Sequence, residues 1–532
     1  MQGGRAGVVL RTYLCVSGAV LPEDGAFFVS SARRAKTGRP AGIFPALPPP
    51  VKGTVTMTSH CEPQPLTLQQ SARWLPADME TPISLFKGMA GSGHGILLES
   101  AEVDGRWGRY SVLACDMALF ASCREGRMSL DIRDPRCAAL ADLDGMDFVS
   151  GLRGLLRRLT LIPPQNMETP PITRALYGWL GFGMAGLFNP KLASAMPAGE
   201  AEGMLALPGT VLVFDHLYNR LCQISLGEHR ELRSGRDEAA EQAPAAPFAV
   251  KAEPDEAGYK ANVEYIKELL RQGEAIQVVP SVRFSTRYEG DPFTLYRRLR
   301  RINASPYMFH MALPGMTLFG SSPEVMVRCT AGTLQLSPIA GTRRRGRDDL
   351  EDARLAAELR ADPKEQAEHV MLVDLGRNDL GRVARPGSVR VERYMDVERF
   401  SHVMHLTSSV TARLADGLDA VDVLASAFPA GTVSGAPKLR AMEIIRSVEG
   451  RGRGPYAGCI GWIGLDHESV NLDMGIAIRS MWHKEGTLFW QAGGGIVHDS
   501  DPELEWKEVC NKSAVMRLAL EGEDPHHVFA HR

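Results

Sequence analysis

Apolar residues recur at helical spacing in several stretches of the chain. Tyr259, Val263, Ile266 and Leu270 share one face of a predicted helix, and residues 148 to 159 carry a second helical pattern. A third begins at Asp362, where a capping carboxylate is followed by Pro363 in the first turn. Ala367, Val370, Met371 and Leu375 mark the face of that helix expected to be buried. Asp291-Pro292 and Asp501-Pro502 open further helices in the same way. Between these stretches the pattern turns to strands. Ile96 to Ser100 is a short apolar strand ending in two polar residues, and Arg109-Tyr110-Ser111 opens the next. Ile276 to Val279 is a strand in which Gln277 points away from Ile276 and Val278. Residues 389 to 395 and 400 to 410 alternate as strands do.

These patterns divide the chain. Residues 1–56, rich in Gly, Pro, Ala and Arg, are expected to be disordered, or else a non-native extension translated from upstream with the natural start at Met57. Residues 57–227 form a first globular region. Residues 228–257, charged and rich in Ala and Pro without periodicity, are the expected linker. Residues 258–520 carry most of the candidate chemistry, and 521–532 form a tail. The glycines of Tyr177 to Gly183 lack the dinucleotide order and are read as packing positions.

Composition narrows the class. With 532 residues, 44% of them hydrophobic and 23% charged, the chain is an ordinary globular protein too long for one small core. Sixty basic against 63 acidic side chains give a net charge of −3, which leaves no electrostatic case for nucleic acid. The nine cysteines are odd in number and show no C-x-x-C pairing, so reduced thiols in a cytoplasm are expected. No apolar run reaches the roughly 18 residues that would mark a membrane span.

Two acidic pairs stand out. Glu365 and Glu368 lie three apart on the Asp362 helix, and Glu505 and Glu508 repeat the spacing on the Asp501 helix. One such pair is normally a solvated helix face. Two of them, with few competing nitrogen or sulfur ligands, suit a hard, oxygen-loving ion such as Mg²⁺. Gly493, Gly494 and Gly495 precede the second pair and allow backbone N–H groups close to a ligand. Gly341 and Thr342 offer the same to a carboxylate. The loop from Gly431 to Lys438 has the wrong spacing for a phosphate loop, with Pro437 removing a donor and Leu439 in place of a hydroxyl ligand. Arg343, Arg344, Arg345 and Arg347 are expected to pair with Asp348 to Asp352 or to be solvated.

Four stretches in order carry a resemblance: SPIAGTRRRG from Ser337, AEHVMLVDLGRNDLGRV from Ala367, PAGTVSGAPK from Pro429 and QAGGGIVHDSDPELEWKE from Gln491. The chain resembles the chorismate-utilising enzymes, and among them the large-subunit (component I) family of anthranilate synthase. The resemblance runs from about Leu97 to the end and is strongest from Tyr259 to Leu518.

It implies an α+β fold in which large antiparallel β-sheets pack as a sandwich with flanking helices. It implies a lyase that converts chorismate and ammonia to anthranilate and pyruvate, the first step of tryptophan biosynthesis. Mg²⁺ would be held mainly by Glu368 and Glu508, with Glu365 and Glu505 in support. Glu324 matches the general acid for the departing C4 hydroxyl, and His405 matches a histidine associated with pyruvate elimination. Thr432 belongs to the pocket, and Tyr456 and Arg479 match substrate contacts, a guanidinium being shaped to grip a carboxylate. Relatives that add water tend to carry lysine where Gln277 stands, and relatives making 4-amino-4-deoxychorismate commonly carry a nucleophilic lysine where Ala340 stands. Both differences favour anthranilate.

Glu99 and Ser100, with Pro306, Tyr307 and Met308, match a regulatory site for L-tryptophan acting as feedback inhibitor. No glutaminase domain is evident, so the resemblance implies a glutamine amidotransferase partner (component II) and a heterotetramer of two large and two small subunits. The alternatives are an aminodeoxychorismate synthase component I and a catalytically inactive regulatory homologue that binds tryptophan or metal.

Overall fold

Antiparallel pairing dominates the molecule. In the computed structural model, which describes residues 65–91, 93–100, 108–165, 167–235, 248–399 and 403–522, twenty strands join into one hydrogen-bonded network. The described residues lie in one compact unit beginning at Pro65. The expectation for residues 1–56, and most of that for the 521–532 tail, fall outside the described residues, as do positions 400–402 of the predicted strand over 400 to 410.

The long strands Tyr110–Arg124 and Gly203–Asp215 are buried at nearly every position, so both of their faces are covered. Their near-continuous apolar runs follow from that burial. The expected α+β architecture, with large antiparallel sheets and flanking helices, is the observed one.

Pairing links strands far apart in the chain. Gly95–Glu99 pairs with Tyr307–Leu313 and sets Met308 opposite Glu99. Ala175–Leu180 pairs with Cys459–Gly464, where the glycines pack closely. A Cβ on Gly178 would lie 1.9 Å from the Met204 carbonyl oxygen, so any side chain there would force the strands apart. Ser281–Arg287 pairs with Thr487–Gly493, with Ser281 opposite Gly493.

Helices form where the periodicity predicts them. Tyr259, Val263, Ile266 and Leu270 are all buried along Glu256–Arg271. The central helix runs Pro363–Gly381 with Asp362 as its cap, and the C-terminal helix runs Pro502–Glu521 with Asp501 as its cap. The central helix nevertheless buries a different face from the predicted one. Ala367 and Val370 are exposed, and Met371 and Leu375 are only half-buried. His369, Leu372, Val373, Gly376 and Leu380 face inward instead. The predicted stripe counted apolar residues alone. The real one includes a glycine and a histidine, and the His369 Nε2 atom lies 2.6 Å from the Ser408 hydroxyl.

The predicted strand at Ile276 to Val279 shortens to Gln277–Val278, paired with Gly435–Ala436. Ile276 is exposed at its mouth, whereas Gln277 and Val278 are buried.

Candidate active site

Two helix starts and a glycine strand end converge. Asp362 accepts hydrogen bonds from the backbone N–H groups of Lys364 and Glu365 at 3.0 and 3.3 Å, which fixes the first turn of the central helix. Arg343 reaches across to Asp362 at 2.8 Å and Glu365 at 3.4 Å. Asp501 caps the C-terminal helix through Glu503 and Leu504. One turn further along each helix stand Glu368 and Glu505–Glu508. Burial chiefly, then Glu365 beside it, pushes the Glu368 carboxyl above its ordinary range, and Glu508 adds to the rise. Glu505 is raised by burial, with a Ser500 hydrogen bond opposing and Glu508 reinforcing. The four acids named from sequence therefore sense one another across two helices.

Among the described residues no three His, Cys, Asp or Glu side chains are gathered tightly enough to form a ready metal cluster. Two of the four carboxylates are drawn towards cations, Glu365 to Arg343 and Glu508 to Lys512 at 2.7 Å. The Glu505 Oε2 atom is buried without a partner. An orphaned carboxylate oxygen beside raised carboxyls fits the donor chemistry of a hard divalent cation.

The glycines matter through close approach. A Cβ on Gly494 would lie 3.0 Å from Glu505 Oε2 and 3.5 Å from Glu508 Oε1, and one on Gly495 would lie 2.5 Å from the Gln277 side-chain nitrogen. Gly493 is approached by the Tyr456 hydroxyl, 3.1 Å from its hypothetical Cβ. Gln277, Tyr456, the three glycines and the C-terminal acids thus form one contiguous group.

Opposite them, Gly341 adopts φ +62° at the irregularity between Ala340 and Arg343 in the strand pairing. A Cβ there would lie 3.0 Å from Glu365 Oε2, so the position is closed to side chains by both conformation and space. The Gly341 carbonyl accepts from His405 Nδ1 at 2.8 Å, and the Thr342 hydroxyl lies 3.1 Å from the same nitrogen. With Nδ1 carrying the proton, Nε2 is the basic nitrogen of the neutral ring. Burial, assisted by the Arg479 charge and opposed by the Gly341 bond, lowers the His405 pKa and keeps the ring neutral at pH 7.

Glu324 lies between the strands Met316–Ser322 and Val325–Thr330 and is buried. Its carboxyl is pushed up to about 7 by burial, against the opposing influence of the Thr432 hydroxyl and the Lys512 charge. About half of it therefore keeps its proton at neutral pH, where an ordinary carboxyl is ionised, so it can serve as a proton donor. The Thr432 hydroxyl is buried without a well-aligned hydrogen bond, though near enough to favour the charged carboxylate. A cavity of about 40 Å³ lies against both residues, bounded also by Leu372, Gly376 and Asp379. Asp379 is closed off by Lys438 at 2.8 Å, so the lysine of the rejected phosphate loop is spent on a buried ion pair.

Arg479, at φ +47°, makes no ion pair among the described residues, and burial lowers its pKa. A guanidinium held this way has its donors ready for an anion. The arginine cluster is different. Arg343 serves Asp362 and Glu365, Arg344 serves Glu351, and Arg345 lies 2.7 Å from Asp352.

The two segments of the expected tryptophan site are brought together by the Met308–Glu99 register. The Glu99 carboxylate is engaged by Arg300 at 2.8 and 2.9 Å and by the Tyr296 hydroxyl at 2.7 Å. Tyr307 donates to Asp473 at 2.6 Å and its ring covers Gly475. Pro306 and Ser100 are half-buried at the same edge.

Two site residues escaped sequence reasoning. Lys512 bridges Glu508 and the Gly493 carbonyl, 3.0 Å away. Its i+4 spacing from Glu508 was the available signal. The Tyr259 hydroxyl is buried without a partner and lies 3.7 Å from the hypothetical Gly494 Cβ. Nothing in the helical pattern distinguishes it from a core tyrosine.

Residues 144–518 match the family of chorismate binding enzymes. The chain is 39% identical to anthranilate synthase component 1 of Aquifex aeolicus, over 84% of this chain and 93% of that protein. It is 41% identical to the protein of the same name from Streptomyces coelicolor, over 83% of this chain and 87% of that protein. The crystal structure of anthranilate synthase component I from Streptococcus pneumoniae superposes with a TM-score of 0.63 at 32% identity, covering 77% of this chain and 92% of that one.

Proposed function

The chain belongs to the chorismate binding enzyme family, and from that premise we propose that it is an anthranilate synthase large subunit. It converts chorismate and ammonia to anthranilate, pyruvate and water. The observation that carries this reading is Glu324, a buried carboxyl that keeps its proton up to about pH 7 in the same site as carboxylate-gripping groups. Arg479 and Tyr456 hold one carboxylate of the substrate, with the backbone N–H groups of Gly341 and Thr342 and the 493–495 glycines as further donors. Glu368 and Glu508, with Glu365 and Glu505 in support, would hold Mg²⁺, which when bound neutralises the ring carboxylate.

Ammonia forms a bond to C2, the ring double bonds shift, and the C4–O bond breaks. Glu324 gives its proton to the departing oxygen, which leaves as water. The ether bond to the enolpyruvyl group then breaks as the C2 proton is lost, the side chain takes up a proton, and pyruvate leaves an aromatic ring. The neutral His405 ring, with Nδ1–H committed to Gly341, presents a basic nitrogen for that proton. Gln277 is no base for water, and Ala340 is no nucleophile, which disfavours hydration and aminodeoxychorismate chemistry.

Most ammonia is protonated at pH 7, so a glutamine amidotransferase subunit supplies it in the cytoplasm, within a heterotetramer. Tryptophan binds near Glu99, Ser100 and Pro306 to Met308 as inhibitor.

The test is purified chain with chorismate, Mg²⁺ and ammonium at mildly alkaline pH, with the product identified by fluorescence and mass. Anthranilate, abolished by chelation and by Glu508→Gln, supports the reading. 4-Amino-4-deoxychorismate, or no turnover, overturns it.

A further inference from the structure

One buried arginine joins the separate pieces of this site. The Arg453 side chain is 1% exposed and Glu449, four residues earlier, 4% exposed. Arg453 donates to both oxygens of Glu449, at 2.6 and 2.9 Å. Its remaining contacts run to backbone, Nη1 to the Val433 carbonyl at 2.8 Å and Nη2 to the Val279 carbonyl at 2.6 Å. The guanidinium lies over the rings of Phe182 and Tyr456, 4.5 and 5.6 Å from their centroids. Glu449 in turn accepts from the Ser281 N–H at 2.9 Å and the Ser281 hydroxyl at 2.7 Å, and Gln491 donates to that hydroxyl at 2.7 Å.

Each contact lands beside a group of the site. Val433 follows Thr432. Val279 lies two residues after Gln277. Tyr456 is the substrate contact itself, and Ser281 is paired with Gly493. Thr432 Oγ1, beside Glu324, and Gln277 Oε1 are both buried without a well-aligned hydrogen bond. The placing of both side chains therefore depends chiefly on the backbone that Arg453 grips.

A buried ion pair is a poor source of net stability, because desolvating both charges offsets most of the attraction. Its planar fork can instead bridge a carboxylate and two carbonyls at fixed angles, which a lysine ammonium cannot reproduce. We propose that Arg453, buttressed by Glu449, is a positioning residue that sets Thr432, Gln277, Tyr456 and the glycine strand in register for chorismate. It touches no substrate. Its effect reaches the reaction through those groups, so the inference rests on the reaction proposed above.

The experiment is a pair of double-mutant cycles read in kcat/KM for chorismate. Arg453→Lys keeps the charge but loses the fork, and should lower kcat/KM by about tenfold to a hundredfold, the usual penalty for a displaced reacting geometry. Combined with Thr432→Ala, whose hydroxyl Arg453 places, the penalties should be clearly less than multiplicative. Combined with Glu365→Gln, a group on the central helix that pairs with Arg343 and shares no partner with Arg453, they should multiply. Glu449→Gln, which keeps the shape of the buttress, repeats both cycles should Arg453→Lys not fold. Unchanged kcat/KM, multiplicative penalties in both cycles, or a loss that merely follows the unfolded fraction overturns the proposal. An inactive wild-type chain would instead overturn the reaction assignment, so the two failures are separable.

Discussion

Replacing Glu324 by glutamine should make the protein more stable and the enzyme far slower. The carboxyl sits at about 7 in the folded chain against an ordinary 4.5, chiefly because it is buried. Between those values the unfolded chain ionises Glu324 while the folded chain keeps it protonated. Stability is unaffected by this group below about pH 4.5, falls as pH rises towards 7, and levels off above it. At about 1.4 kcal/mol per unit, the full cost is roughly 3 kcal/mol. Glutamine has the same shape and never ionises, so the Glu324→Gln variant escapes that cost. Its stability relative to wild type should therefore improve by roughly 3 kcal/mol between about pH 4 and about pH 8, whatever the constant effect of the amide.

Urea unfolding at constant ionic strength across that range measures the shift. In parallel, kcat should fall by about 10²- to 10⁴-fold, the worth of a positioned general acid. Wild-type kcat/KM should itself decline above pH 7 as the donor ionises, provided free ammonia is held constant. A variant whose stability tracks wild type at every pH would show that Glu324 is not held protonated by burial. Retained turnover would remove it from the reaction.

Three further outcomes follow from the same geometry. Mg²⁺ should bind measurably by calorimetry and raise the melting temperature of the wild-type chain, and Glu505→Gln should weaken that binding at least tenfold, since it alters an orphaned oxygen of the site; unchanged affinity would place the ion elsewhere. Gly495→Ala puts a methyl 2.5 Å from the Gln277 side-chain nitrogen, so kcat/KM should drop by about a hundredfold with the fold intact by circular dichroism; full activity would show that the amide can move aside freely. Glu99→Gln removes the charged acceptor that Arg300 and Tyr296 share and should cost about 1–3 kcal/mol in urea unfolding while desensitising the enzyme to tryptophan; a variant equally stable and equally inhibited would disprove both roles of the strand end.

The parts of the molecule legible in sequence share a cause. Helix starts were readable because Asp-Pro pairs perform capping locally, and Asp362 and Asp501 do so in the structure. The acidic pairs were readable because i, i+3 spacing fixes their side of a helix. The buried face of the central helix was misread because burial there is decided by what lies opposite. Close packing brings in Gly376, and a hydrogen bond to Ser408 brings in His369, while Val370 is left at 48% exposure. Ion pairs that cross the fold, such as Lys438 with Asp379, have no local signature at all.

The same distinction separates what binds from what positions. The side chains proposed to meet chorismate stand in motifs, because chemistry restricts which residue types can do the work. Arg453 is hydrogen-bonded to carbonyls, and a carbonyl is offered by every residue, so no motif announces its partners. Glu324 shows the point from the other side. Its identity was legible, but the property that makes it an acid at pH 7 is burial, which belongs to the fold and to no stretch of the chain. The reaction is therefore written in the motifs, and the conditions under which it runs are set by the residues that enclose them.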